Sequence, residues 1–488
     1  MATISSPGVG SNLDVKSIVS QLVAIEKQPL TKLKVEAASV QARISTYGEI
    51  KSLVSALGSA AGTLNSLTTW NAVTATSSRP ESVTATATGG TAANSFSVEV
   101  EQLARAQSYA SASITGGGVL GAGTLVIQPG SFGSPPGSFT PTPQAGAVPP
   151  ANVPPITVTV SASDTLADVA SKINDLKGPI QATILNDGTG ERLLLRSRDT
   201  GMAAGFQVSV IDNDSNLADQ TGLSRLVDNG ATNQGAVSQF AQDARIKVNN
   251  SISVTSSSNT FQNVVSGVTL TIPPSSPTGA ASVAEVRIAP NQENIRTAIN
   301  QFVEAYNKLN GFLAEATKFD AGTREAGLLQ GDSFAIGIQR SLRGILQSST
   351  VGSAFERLSE VGISAQLGGN LEVNSTKLNA ALAQPDELRN LFRIDNKNDQ
   401  TNGVGLKIKK FADGLLNADG LFRVREDSLK RSLEVNSREQ TRVNEKASRV
   451  EAALNRRYSA LDAQIAGLTA LNNYVAQQVT MWNNQKQG

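Results

Sequence analysis

The sequence predicts an α+β multidomain fold: N- and C-terminal helices form a coiled-coil or helical-bundle leg, and β-rich head domains are inserted between them. Three observations predict it. Apolar residues recur at three-four spacing near both chain ends, the mark of a narrow helical seam. The middle carries short runs of β-branched residues bounded by Gly, Asn, Asp and Pro, the mark of strands and turns. Finally, each seam needs a partner for its apolar strip and chain termini often lie close together, which favours one bundle shared by the two ends.

The first seam runs through Val15, Ile18, Leu22 and Ile25. It resumes past Pro29 at Leu33, Ala37, Val40, Ile44, Tyr47, Ile50, Val54, Leu57, Ala61 and Leu64. Proline lacks a donor for a helix interior and restricts the residue before it, so a break is expected there and two helices follow. Strands are expected at 95–101, 124–128, 156–160, 192–197, 206–211, 268–272 and 283–288. A helix over 165–176, with Asp164 placed as its N-cap, interrupts them. Half of the chain's 18 prolines lie between Pro129 and Pro155, mixed with Gly, Ser and Ala. Such a composition is expected to form an extended surface excursion outside any core.

Helical period returns at Ile295, Ile299, Phe302, Val303, Tyr306, Leu309 and Leu313, with further helices over 334–346, 386–392 and 404–416. The last seam is Val443, Ala447, Val450, Leu454, Tyr458, Leu461, Ile465, Leu468, Val475, Val479 and Trp482, interleaved with charges. Its four-four-three spacing through Val450, Leu454, Tyr458 and Leu461 departs from strict heptads, so local unwinding of a supercoil is expected. The expected domains are N-terminal leg helices (1–45), a helical scaffold in two parts (46–84 and 290–440), a β-rich domain in two parts (85–120 and 236–289), a variable β insert (121–235) and a C-terminal coiled-coil leg (441–488).

Composition narrows the chemistry. The 42 basic and 41 acidic residues nearly cancel and form no long block, which argues against nucleic acid as a partner. The chain has no Cys and no His, which removes disulfides, thiolate nucleophiles and imidazole bases. No stretch is apolar enough for a spanning helix and the first 20 residues lack a Sec-type signal, so no membrane insertion is expected.

Local motifs add no site. Gly8-Val9-Gly10 lacks the preceding strand and the lysine of a phosphate loop and reads as a lead-in turn. The stretch from Asp212 to Asn216 opens like a calcium loop, but Leu217 and Leu223 replace the glycine and the bidentate acid. Asp187, Glu191 and Asp199 could pair for glycosidic chemistry, although their pattern reads better as solvated turn residues. No catalytic residue, metal or cofactor is assigned.

Several motifs taken in order resemble one family. Gly8-Val9-Gly10-Ser11-Asn12-Leu13-Asp14, then Ile18-Val19-Ser20-Gln21-Leu22 and Glu26-Lys27-Gln28-Pro29-Leu30, are similar to the opening of flagellar filament cap proteins, also called hook-associated protein 2. Asn12 stands where the family usually has a second Gly. The run from Val98 to Gln107, Leu328-Leu329-Gln330-Gly331-Asp332, Gly362-Ile363, Gly369-Asn370-Leu371, Lys377-Leu378, Arg457-Tyr458, Leu461-Asp462 and Tyr474 follow in the family's order.

The resemblance implies a secreted, extracellular, non-enzymatic cap at the filament tip, exported unprocessed by the flagellar type III apparatus. It implies a ring of identical subunits, with five the expected number, that retains exported flagellin and promotes its polymerisation. Hook–filament junction proteins and a dedicated export chaperone are the further partners implied. If the function is assembly, seam residues Ile18, Leu22, Ile25, Leu454, Tyr458, Leu461, Ile465 and Leu468 are expected to carry it. An alternative, motivated by the proline-rich excursion, is a surface adhesin binding host mucin or another glycan through the exposed β insert, or another exported axial role.

Overall fold

The computed structural model describes residues 14–115, 120–133, 138–147, 151–213, 221–227, 235–322 and 324–485. The chain divides into two compact units, one made of its two ends (to Trp70 and from Gln292) and one spanning Asn71–Asn291.

The end unit begins with α1, Val15–Glu26, where the Asp14 carboxylate accepts from Ser17 N at 3.0 Å and caps the first turn. Lys27 separates it from α2, Gln28–Asn65, which carries Pro29 in its first turn, where the missing N–H costs nothing. The expected break is therefore present. A single-turn helix, α3, Leu67–Trp70, closes this part, and Trp70 Nε1 donates to Leu64 O at 2.7 Å. The helical unit stops here; the scaffold expected over 46–84 is shorter because Val73–Ser77 pairs antiparallel with Ala284–Pro290 and belongs to a sheet.

The inserted unit holds two cores. In the first, an antiparallel sheet ordered Val73–Ser77, Ala284–Pro290, Asn94–Gln102, Ala244–Val248, Ile252–Ser256 joins a three-stranded sheet (Thr260–Gln262, Val268–Thr271, Thr84–Ala87). Val98, Val100, Ile246, Phe261, Leu270 and Val286 fill its interior. The second core lies among Gly123–Phe132 with its neighbours Gly205–Asp212, Phe139–Pro141 and Ile156–Val160, a sheet containing Ser108–Ala110, Ile180–Asn186, Glu191–Ser197 and Ala236–Gln239, and helix α4, Leu166–Asp175.

Two expectations change in this unit. The N-cap of α4 is Thr165, which forms a capping box with Asp168; Asp164 instead accepts from Ser161 N at 2.8 Å and pairs with Lys172. The proline-rich stretch is also less of an excursion than composition suggests. Its first residues continue the strand Gly123–Phe132, and Phe139–Pro141 pairs back onto that strand. Phe132 supports the turn by packing its ring 5.0 Å from Phe139 and 5.2 Å from Phe240.

The chain then re-enters the helical unit with α5, Gln292–Thr317, and α6, Ser333–Gln347. A small hairpin (Ile363–Ala365 with Leu371–Val373) precedes α7, Ser375–Leu382, α8, Pro385–Arg393, and α9, Val404–Leu416. The core joins Ile50, Val54 and Leu57 of α2 to Ile299, Phe302 and Tyr306 of α5, Phe392 of α8 and Ile408 of α9. At Gly58 an added Cβ would lie 2.8 Å from the Ala412 Cβ, so α2 and α9 approach as closely as a glycine allows. Last comes α10, Leu421–Gln485, a helix of 65 residues and, at 1.5 Å per residue, about 100 Å long.

Candidate assembly interface

The residues that the sequence singles out for assembly lie on the terminal helices. Helix α10 starts inside the core of its unit through Phe422 and runs beside α2, whose Leu33, Ala37, Val40 and Ile44 are half-buried. Farther along, α1 lies on it. Val15, Val19 and Val23 are buried against Ala447, with Leu454 and Tyr458 packed around them. Lys446 Nζ meets Glu26 Oε2 at 2.8 Å at one end of this contact, so α1 and α10 run antiparallel.

The eight seam residues fall in different places. Ile18 is half-buried, and Leu22 and Ile25 are exposed, because the face of α1 that meets α10 is Val15, Val19 and Val23. Leu454 and Tyr458 pack on that cluster. Ile465 is half-buried, while Leu461 and Leu468 are exposed, Leu468 by 65%. Beyond them Val475, Val479 and Trp482 also stand in solvent. Leu461, Ile465, Leu468, Asn472, Val475, Val479 and Trp482 thus follow alternating four-three steps, an a/d seam with one polar position. Among the described residues no helix covers it.

The root of α10 is fixed by charge. Asp332, at the N-terminus of α6, accepts from Phe334 N (3.0 Å) and Ala335 N (3.1 Å) on one oxygen and from Arg425 Nη2 (2.5 Å) on the other. Arg425 Nε also donates to the Tyr47 hydroxyl at 3.2 Å, which brings the phenol beside the Asp332 carboxylate. Burial alone would raise the Asp332 pKa, but hydrogen bonds from Tyr47, Arg425 and Ala335 N outweigh it and hold the carboxyl below its ordinary range. Burial, together with the bond to Asp332, pushes the Tyr47 phenol up to about 12. Three helices, α2, α6 and α10, meet at this point. Asp332 closes the Leu328-Leu329-Gln330-Gly331-Asp332 motif, whereas nothing local in the sequence marks Tyr47 or Arg425 as its partners.

The residues weighed for chemistry stand apart. Asp187 closes a hairpin turn, accepting from Thr189 Oγ1 at 2.6 Å and Arg192 Nε at 2.5 Å, and these bonds hold its carboxyl well below the carboxylate range. Glu191 joins Ile114 through backbone bonds, and Asp199 lines a shallow groove with Pro129 and Ser257. Asp212 accepts from Leu223 N (2.8 Å) and Ser224 N (3.2 Å), a turn-capping role; 214–220 and Gly8-Val9-Gly10 lie outside the described residues. Among the described residues no group of three or more acidic side chains could hold a metal ion, and no helix is long and apolar enough to cross a membrane.

Comparison with known proteins gives a consistent result over the whole chain. Residues 11–107 match the family description "Flagellar hook-associated protein 2 N-terminus" and residues 241–470 match "Flagellar hook-associated protein 2 C-terminus". The chain is 28% identical over 501 residues to flagellar hook-associated protein 2 of Escherichia coli K12, covering 100% of both chains. It is 28% identical over 496 residues to the A-type flagellar hook-associated protein 2 of Pseudomonas aeruginosa, covering 96% of each. Its fold is similar to the crystal structure of the D1-D2-D3 domains of the Escherichia coli flagellar cap protein (TM-score 0.55, 26% identity, 79% of this chain and 99% of that one).

Proposed function

The chain belongs to the flagellar hook-associated protein 2 family, and from this premise we propose that it caps the distal tip of a bacterial flagellar filament and promotes flagellin polymerisation there. The observation that carries the reading is where the family matches fall. They cover α1, α2 and most of α10 together with the first core of the inserted unit, and they leave out 108–240, where most of the second core lies. The parts matched by the family descriptions are thus the leg, its scaffold and the first β core.

Its work is that of an extracellular structural oligomer, without catalysis: a ring of copies, five in our reading, keeps exported flagellin at the tip until it folds into the lattice. Flagellin, the hook–filament junction proteins and a dedicated export chaperone are its partners in this scheme. The exposed seam of α10, with Leu461, Ile465 and Leu468, and the outer residues Leu22 and Ile25 of α1 are the surface through which the leg engages its assembled neighbours. Leu454 and Tyr458, packed on Val15, Val19 and Val23, hold the two helices together behind it, with Ile18 at the margin of that contact. The adhesin alternative draws no support from these findings.

Deleting the gene in its source bacterium tests the proposal. Monomeric flagellin should accumulate in the medium beside short or missing filaments, and restoring this chain should reverse both effects; normal filaments would refute it. Within the chain, Leu461→Ala should weaken filament growth with little change in melting temperature. A lowered melting temperature with undisturbed growth would remove Leu461 from the assembly surface.

A further inference from the structure

Opposite flanks of α5 carry an apolar side chain held out in solvent and an apolar groove. The hairpin after α6 turns through Gln366–Asn370, where Gly368 and Gly369 adopt positive φ (93° and 89°) and Gln366 N donates to Asn370 O at 2.8 Å. The turn is fastened to α5. The buried Tyr306 hydroxyl donates to Gly369 O at 3.1 Å. Asn307 exchanges bonds of 2.8 and 2.6 Å with the Leu371 backbone, and the buried Asn310 amide donates to Gly368 O (3.1 Å) and Asn370 Oδ1 (2.8 Å). At its apex Leu367 is exposed in full. Because the backbone beneath it is fixed, that exposure is built in.

The groove, of about 410 Å³, lies between Thr46 of α2, Phe312 and Ala316 of α5 and the Ala326-Gly327-Leu328 turn. Phe312 is half-buried and Leu328 exposed, so both offer apolar surface. An added Cβ on Gly327 would come 2.4 Å from Ala316 O, so that turn is seated directly on the end of α5. At 3.6 residues per turn, Tyr306, Asn307 and Asn310 lie roughly 180° around α5 from Phe312, Glu315 and Ala316.

A contact that closes a ring joins two different patches of one subunit, placed so that each copy reaches the next; a two-fold contact would use one patch twice. A fixed knob and a groove on opposite flanks of one helix meet that requirement. Exposed Arg343 borders the turn, with Nη2 3.5 Å from Gly368 O, while the groove is edged by the Glu315–Lys318 ion pair (2.5 Å) and by Arg43, whose Nε donates to Leu328 O at 3.2 Å.

We propose that Leu367 of one copy of this chain inserts into the Phe312, Ala316 and Leu328 groove of the next, a head-to-tail contact between helical units. The inference rests on the cap reading, which calls for a ring of identical subunits, and adds the residues that join them.

The absence of native cysteine makes the test direct. In the full-length chain, Leu367→Cys combined with Leu328→Cys should give a ladder of disulfide-linked oligomers on mild oxidation. A mixture of the two single variants should stop at dimers, and each alone should stay unlinked. Separately, Leu367→Glu should weaken self-association about tenfold or more, as loss of a central apolar anchor does, with circular dichroism and melting temperature unchanged. The contact is overturned if the double variant forms no ladder while the unmodified chain still sediments as oligomers, if Leu367→Glu assembles normally, or if the Leu367→Cys variant cross-links to a cysteine-bearing flagellin instead. Failure of the unmodified chain to restore filaments would instead sink the cap reading itself.

Discussion

At the scale of single residues, the Asp332, Arg425 and Tyr47 cluster sets how the long helix leaves the core. The Asp332 side chain is almost wholly buried, and it relies on Arg425 from α10 for one of its oxygens. Replacing Arg425 with Met should leave that acceptor unpaired, at a cost of roughly 1–3 kcal/mol, read as a lower denaturant midpoint of the helical unit. The part-exposure of Arg425 in water keeps the figure at the modest end. The sign of the pH dependence follows from the two shifts. Asp332 is held below its ordinary value of 3.8, so its contribution is complete above that value and is lost as pH falls through the lowered one. Tyr47 is raised from 10.0 to about 12, so its contribution is complete below 10.0 and is lost as pH climbs through about 12. Stability of the helical unit should therefore show a plateau between these limits in a pH series of urea melts, and the acid arm should flatten in Asp332→Asn. Little of this was legible. The three residues come from far-apart segments, Tyr47 and Arg425 being 378 positions apart, and no local pattern links them.

At the scale of elements, periodicity was a good guide where one face is buried and a poor one where pairing decides. Leu33 to Leu64 on α2 and the strand Ile156–Val160 lie where spacing and β-branching place them. Thr84–Ala87 and Ser108–Ala110 are short, with Thr, Ser or Ala at every position except the buried Tyr109, and distant partners complete their hydrogen bonds. Phe139–Pro141 was hidden by proline composition, although the two phenylalanines that anchor its turn were a usable signal. An edge also needs protection that sequence does not announce. The strand Ile180–Asn186 ends its sheet, and the Asn174 side chain acts as a stand-in peptide, accepting from Ala182 N at 3.0 Å and donating to Ala182 O at 2.8 Å. Asn174→Ala should cost about 1–2 kcal/mol through two lost bonds and raise light scattering on storage as the edge becomes free to pair. Between α2 and α10, buried Asn436 contacts Glu36 (3.4 Å) and Gln440 (2.7 Å) inside a largely apolar seam. A polar group there fixes register at the expense of stability. Asn436→Leu should therefore raise the unfolding midpoint while hydrogen exchange along α10 becomes less uniform; a lower midpoint would show that the hydrogen bonds matter more than the burial.

At the scale of the whole molecule, the two units differ in how they can fold. The inserted unit is one continuous stretch, and backbone bonds such as Asn291 N to Ala72 O (2.8 Å) bring its two ends together. The helical unit joins α1 and α2 to helices that follow the insert, and closing so long a loop costs entropy that grows only slowly with its length. The shared bundle was legible because each end carried a seam without a local partner. What spacing could not reveal is that α10 begins at Leu421 and that, among the described residues, α1 packs on it only as far as Tyr458, with Leu461, Leu468, Val475, Val479 and Trp482 exposed beyond. That division leads to a separation of roles. Residues 461–483 contribute nothing to any buried cluster among the described residues, so a chain ending at Ala460 should keep its melting temperature, with stability changed by less than about 0.5 kcal/mol, the usual scale for surface changes away from a core. The same chain should fail to restore filaments in the deletion strain, with flagellin lost to the medium. Restored filaments would move the assembly surface off the end of α10 and onto the helical unit, whereas a lower melting temperature would mean that the distal seam is covered within its own subunit.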